Sequence, residues 1–273
     1  MTMLSQNDTG GDAPMWQFVV FQLVDSCLPA GGFAHSQGVE AAMQAGALPC
    51  AAAFDVYARV AMDNASGLLL PFLTAAHAHC TSAGECAALS AALQPMMAAC
   101  HVASKASLTQ GAALLRTALA AFPEECAPLA ALLDQCSSAP PPPGTTVRAG
   151  MHVAPLFGAV CGLLNVPPPL CRRMFMYILL RDMVSAATRL NLLGPMQATG
   201  IQARLASSAE AAVKVAEVRM KEAAGAQPAP AWMRLQSGSD AVAMAMRVAR
   251  TSAPLQDTFQ GGAEHLFTRL FCS

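Results

Sequence analysis

The chain has 273 residues, of which 54% are hydrophobic and only 12% charged, and its formal net charge is -1. Ordinary globular chains carry roughly 25% charged residues, so a compact monomer of this composition leaves apolar patches that call for a partner or a second copy. The balance excludes the basic field that holds nucleic acid or an anionic membrane surface.

Ten cysteines stand at irregular spacings with no C-x-x-C pair. No secretory signal precedes them, so they read as free thiols of a reducing compartment, and the expected location is cytoplasmic. Residues 1–14 are small and polar and read as a disordered N-terminal segment. Residues 15–251 are expected to form one domain.

Within that domain WQFVVFQLV at 16–24 has strand-like propensity but no partner strand nearby, so a short buried helix is expected. Residues 25–41, DSCLPAGGFAHSQGVEA, break the alanine-rich pattern around them. Pro29 fixes φ, and Gly31 and Gly32 permit φ > 0, which predicts a tight, specific loop. Ser36 is a candidate N-cap for a helix running to Gln44, with Glu40 near its positive end. A loop built this way is expected to aim His35, Ser36 and Glu40 outward. The bland alternative is a Gly/Pro turn holding a satisfied histidine.

Helices are then expected over 51–63, over 67–80 with Pro71 in the first turn, and over 85–101 with a kink at Pro95. In 102–121, Leu108, Leu115 and Leu119 recur near one face while Lys105 and Arg116 lie elsewhere. Pro123 ends that helix, and a short one follows to Gln135. SSAPPPPGTTVR at 137–148 reads as a stiff, extended surface loop. Helix resumes at 150–164, turns a triple-proline corner at 167–169, and continues through a strongly apolar helix, 170–193, stopped by Gly194-Pro195. Another helix over 196–222 becomes polar toward its end, 224–238 is loop, and Ser239 caps a helix reaching Thr251. The apolar run 153–170 is cut by Pro155, Asn165 and Pro167 to Pro169, too short to span a bilayer. Nowhere does period-2 alternation appear. The expected fold is all-α, a single-domain bundle of about ten helices.

Polar residues with chemical potential are few. Arg181, Ser185 and Arg189 fall at i, i+4 and i+8 on the apolar helix. Buried arginine is costly unless paired, so this stripe either meets a partner or pairs internally, with Asp182 for example. The tail 252–273 places Leu266, Phe267, Leu270 and Phe271 after Gly261-Gly262, as a segment to dock on another protein or to tuck against its own bundle. His77, His79 and Cys80 cluster without zinc spacing; with His35 and His265 they are the candidates for a transient soft or borderline metal. Ala34-His35-Ser36-Gln37-Gly38 is one residue away from a G-x-S-x-G elbow, and Asp257 and His265 follow in order. That elbow needs a strand and a parallel sheet, so a serine hydrolase using Ser36 is a remote alternative. No P-loop is present.

The loop resembles the signature of the UreF family of urease accessory proteins, roughly S-D-x-x-x-P-x-G-G/S-F/Y-x-H-S-x-G-L-E. Asp25, Ser26, Pro29, Gly31, Gly32, Phe33, His35, Ser36, Gly38 and Glu40 match, and Val39 replaces the usual leucine. Further segments agree in order. Gln110, Gly111, Leu114, Leu115 and Arg116 match a Q-G-x-x-L-L-R helix. Phe157 and Gly158 match an F-G segment, and Ser185, Arg189, Leu190, Gly194 and Pro195 match a second strong motif. Arg269, Leu270, Phe271 and Ser273 match an S/T-R-L-F-x-S terminus. The resemblance implies a non-catalytic chaperone that homodimerises and joins the accessory protein UreD/UreH to the GTPase UreG, delivering nickel to apo-urease. Nickel would be handled by the complex, with no tightly bound cofactor. The expected partner-binding residues are His35, Ser36, Glu40, Arg181, Ser185, Arg189, Phe267, Arg269, Leu270 and Phe271. The alternative is a direct nickel-binding or nickel-conducting protein.

Overall fold

Alanine and glycine bring helices to close range in this chain, and three glycines set the geometry. The computed structural model describes residues 16–133, 150–226 and 238–272. Within these the helices are α1 (Trp16–Val24), α2 (Val39–Gln44), α3 (Ala51–Leu68), α4 (Leu70–Ala78), α5 (Ala83–Met96) and α6 (His101–Ala121). They continue with α7 (Val153–Leu163), α8 (Pro168–Arg189), α9 (Pro195–Gly225), α10 (Asp240–Val248) and α11 (Pro254–Gly262). Short 3-10 turns occupy Gly32–Ala34, Ala127–Leu129 and Ala263–His265. No strand occurs among the described residues, so the fold is all-α.

Helix α7 is wedged between α4 and α6. A Cβ on Gly158 would lie 2.1 Å from the Leu73 carbonyl of α4, and one on Gly111 of α6 would lie 1.7 Å from the Met151 carbonyl. One turn beyond Gly158, a Cβ on Gly162 would lie 2.6 Å from the His77 carbonyl. No side chain fits at these crossings, so glycine there is a packing requirement. The wedge buries Leu156, Phe157, Val160 and Cys161, and Phe157 meets Phe175 of α8 at 5.7 Å between ring centres.

Helix α8 runs through the bundle and buries Cys171, Met174, Phe175, Met183 and Ala187. Two arginines at its start bind α9. Arg172 donates from Nε and Nη2 to Glu217 at 3.0 and 2.7 Å, and Arg173 grips Glu210 at 2.7 Å through two nitrogens. Beside these pairs an open groove of about 480 Å³ runs between α8 and α9, lined mainly by Met176, Tyr177, Leu180, Ala206 and Val213.

Several boundaries differ from expectation for physical reasons. α1 is half-exposed rather than buried. Val19 and Leu23 face the core, while Phe18 and Phe21 are 76% and 68% exposed. α3 and α4 meet at Leu69, whose αR backbone lets one helix run almost directly into the next. Ser239 caps α10 as expected, its hydroxyl accepting from the N–H groups of Ala241 and Val242. Gly261 and Gly262 are the last residues of α11. The proline-rich stretch 137–148 and residues 1–14 lie outside the described residues. No helix among the described residues is long and apolar enough to cross a membrane.

Candidate functional site

The loop after α1 turns on backbone conformations that few residues adopt. Gly31 has φ of 78°, Gln37 of 55° and Gly38 of 80°. The last two delay the helix, so α2 starts at Val39 and is preceded by Gly38 rather than capped by Ser36. A Cβ on Gly38 would lie 2.5 Å from the Tyr57 hydroxyl and 3.2 Å from Gln260. That closeness lets the Tyr57 hydroxyl donate to the Gln37 carbonyl at 2.8 Å. Gly32 serves a different purpose. A side chain there would lie 2.4 Å from the Asp182 carboxylate, so glycine opens the space that the α8 acid occupies.

Asp182 is 2% exposed. Burial pushes its pKa up, while the Arg181 and Arg189 charges and the Arg181 hydrogen bonds pull it down. Arg181 donates from Nε and Nη2 to the same carboxylate oxygen at 2.9 and 2.7 Å, and from Nη1 to the Val24 carbonyl at 2.5 Å. It therefore ties the end of α1 to the middle of α8. The internal pairing of Arg181 with Asp182 is the arrangement that buried arginine requires.

Arg189, two turns further on, is sandwiched. Its guanidinium carbon lies 3.8 Å from the Phe33 ring centre and 4.2 Å from that of Phe271, and Nη2 donates to the Phe33 carbonyl at 2.7 Å. Nε is buried without a hydrogen-bond partner among the described residues. Burial accordingly lowers the Arg189 pKa, and the two ring faces offset the lost hydration.

The C-terminal segment completes the site. The Glu40 carboxylate accepts the Leu270 N–H at 2.5 Å and the Phe271 N–H at 3.1 Å. The Cys272 N–H donates to the Ala34 carbonyl at 2.9 Å, and the Gln44 amide donates to the Thr268 carbonyl at 2.9 Å. Phe271 is buried, whereas Phe267 and Leu270 are 102% and 62% exposed. His35, Ser36 and Glu40 are all buried, which overturns the expectation that they point outward. At Glu40 the reason is the tail, whose backbone N–H groups bond its carboxylate. Desolvation lowers the His35 pKa. Ser185 is half-buried and Arg269 exposed.

The UreF family profile matches residues 49–206, more than half of the chain. The chain is 34% identical to "Urease accessory protein F" of Arabidopsis thaliana over 257 residues, covering 94% of this chain and 92% of that protein. It is also 34% identical to proteins of the same name from the indica and japonica subspecies of Oryza sativa, covering 93% of this chain and 84% of each. This chain belongs to the UreF family. The family match therefore agrees with the ordered motifs read along the chain.

In this UreF chain the metal candidates do not converge. No group of three or more His, Cys, Asp or Glu able to hold an ion occurs among the described residues. His77 Nε2 bonds the Val166 carbonyl at 2.8 Å, closing the α7–α8 corner onto α4. Cys80 lies where a Gly162 side chain would be, His79 and His265 are exposed, and His35 is buried on the far loop. The serine elbow is absent too: Ser36 is fully buried and follows a 3-10 turn, not a strand.

Sequence reading missed a second polar cluster, centred on His152 in front of α7. His152 is fully buried; Nδ1 lies 3.0 Å from Ser107 Oγ, Nε2 lies 2.8 Å from Gln94 Oε1, and its backbone N–H donates to Ser90 Oγ at 2.8 Å. Ser107 Oγ also accepts the Val153 N–H at 3.3 Å, leaving its own proton for Nδ1. The network thus assigns the neutral Nε2–H tautomer, and burial lowers the pKa to about 4. The available signal was Ser104 and Ser107, one turn apart on the helix face that also carries Gly111 and Leu114.

Proposed function

We propose that this chain is a urease accessory protein that bridges UreD/UreH and the GTPase UreG in the complex inserting nickel into apo-urease. It forms bonds with proteins rather than breaking them in a substrate, and it works as a homodimer in the cytoplasm. The observation that carries this reading is the tail: its backbone is anchored at Glu40 and Ala34, yet Phe267 and Leu270 point outward. An apolar pair displayed on an anchored backbone has its ordering entropy already spent, which favours association. The exposed Phe18 and Phe21 and the groove between α8 and α9 add apolar surface of the kind assemblies cover. Modulation of the GTPase belongs to the same proposal, acting through the surface that includes Phe33 and Arg269.

The test is co-purification with UreD/UreH and UreG, with and without GTP and nickel. A Phe267→Ala/Leu270→Ala double variant keeps the backbone anchors, and its expected result is loss of UreD/UreH capture with unchanged folding. Undiminished capture would remove the tail from the interface.

A second reading is supported by the cavity of about 180 Å³ under the signature loop, whose lining includes Asp25, Asp182 and Asp257. Carboxylates along an internal space suit passage of nickel as cargo more than its storage. Equilibrium dialysis retaining no nickel on the pure chain agrees with passage; stoichiometric retention points to a resident site.

A further inference from the structure

The cavity under the signature loop has a mixed wall. Leu68, Leu114, Phe157, Phe175 and Leu179 supply apolar lining, and its charged residues are Asp25, Arg181, Asp182 and Asp257. Asp182 is buried, and both of its bonds from Arg181 fall on a single carboxylate oxygen, Oδ1. The other oxygen, Oδ2, accepts no hydrogen bond from the described residues. It points toward Gly32, where a side chain would collide with it, and Asp182 and Gly32 both line the cavity. A buried carboxylate oxygen is a strong acceptor that calls for a donor. Glycine at position 32 keeps the space in front of it open.

Size and charge narrow what that donor belongs to. The cavity of about 180 Å³ compares with apolar cavities of roughly 150 Å³ that admit a benzene ring. The charges of Arg181 and Arg189 act on Asp182, and that of Arg181 also reaches Asp25. Two cations and two anions thus balance at this end. A cationic ligand would meet the arginines and an anionic one the carboxylates.

We propose that this cavity is a site for a small neutral aromatic molecule with one hydroxyl or amide donor, its ring among the leucines and phenylalanines and its donor on Asp182 Oδ2. This goes beyond the nickel passage considered for the same space, and it involves no metal. The ligand makes the hydrogen bond that Arg181 leaves unmade, and its ring covers apolar wall. Arg181 stays bound to Oδ1 and to the Val24 carbonyl, so the acceptor is already fixed in place before binding. Asp182 then determines specificity, and Arg181 is the positioning residue behind it.

Phenol is the probe, titrated into the full-length chain under reducing conditions and followed by NMR, with toluene, benzamidine and benzoate as comparisons. Phenol should shift the amide resonances of Gly32 and Leu114. It should bind about tenfold or more tightly than toluene, which has the ring without the donor. Benzamidine and benzoate should bind about tenfold or more weakly than phenol. In Asp182→Asn the new amide can keep its oxygen on Arg181 and place its NH2 group at the Oδ2 position. Phenol should then lose its advantage while toluene binds as before, a result that a misfolded variant would not give. Ala65→Leu supplies an independent arm, filling the cavity from α3 with Asp182 intact, and should abolish binding of both. Phenol binding no tighter than toluene, or undiminished in either variant, would overturn the site. Benzamidine or benzoate binding as tightly as phenol would overturn the assignment of a neutral ligand.

Discussion

Lowering the pH should destabilise the fold through His152, and the size of the effect can be worked out. In the unfolded chain this histidine titrates near 6.5; in the folded chain burial lowers its pKa to about 4. The neutral ring, wedged between Ser107 Oγ and Gln94 Oε1, is the form the fold accepts. Above about pH 6.5 the ring is neutral in both states and the linkage contributes nothing adverse. As pH falls below that value the unfolded chain takes up a proton that the folded chain refuses, so stability is lost down to about pH 4. Between pH 7.5 and pH 5 the loss is about 2 kcal/mol. Other groups titrate over the same range, and His35 in particular shares the downward shift. The informative quantity is therefore the difference between the unmodified chain and a His152→Gln variant, measured by urea unfolding under reducing conditions at both pH values. The stability gap between the two should change by about 2 kcal/mol, to the disadvantage of the unmodified chain at pH 5. A gap independent of pH would refute the reasoning, as would a His152 ring resonance titrating near 6.5 in the folded protein.

Gly111→Ala should destabilise the chain by about 3 kcal/mol or more in urea unfolding, because the new methyl lands on the Met151 backbone and α6 and α7 must part. A neutral substitution would show that this crossing has slack. Glu217→Gln and Glu210→Gln separate two outwardly similar ion pairs. The first weakens the hold on Arg172, whose side chain is 10% exposed, and should cost about 2 kcal/mol; the second touches Arg173, 45% exposed, and should cost less than about 1 kcal/mol. Equal losses would mean that burial does not set the strength of these pairs.

Much of the architecture was legible from local pattern. Ser239 marks the start of α10 and the lack of period-2 alternation excludes a sheet, whereas Gly194-Pro195 begin α9 rather than stop α8, which already ends at Arg189 ahead of the left-handed Asn191. These signals are local, acting within a turn or two of chain, so they survive without tertiary context. The length of α3 was not legible, because Ala65 to Leu68 are helical for the sake of burial against neighbours. The His152 cluster was not legible either, since its side chains come from α5, α6 and the residue ahead of α7.

By itself the sequence determined the helical class, the order of the helices, and membership in a family recognised by motifs spread along the chain. The orientation of His35, Ser36 and Glu40, and the aromatic partners of Arg189, were decided only in three dimensions. The physical reason is distance along the chain: Glu40 meets donors 230 residues away. A polar side chain in a glycine-rich loop points to solvent by default. It turns inward here because a remote backbone supplies the hydrogen bonds that make burial of its charge tolerable.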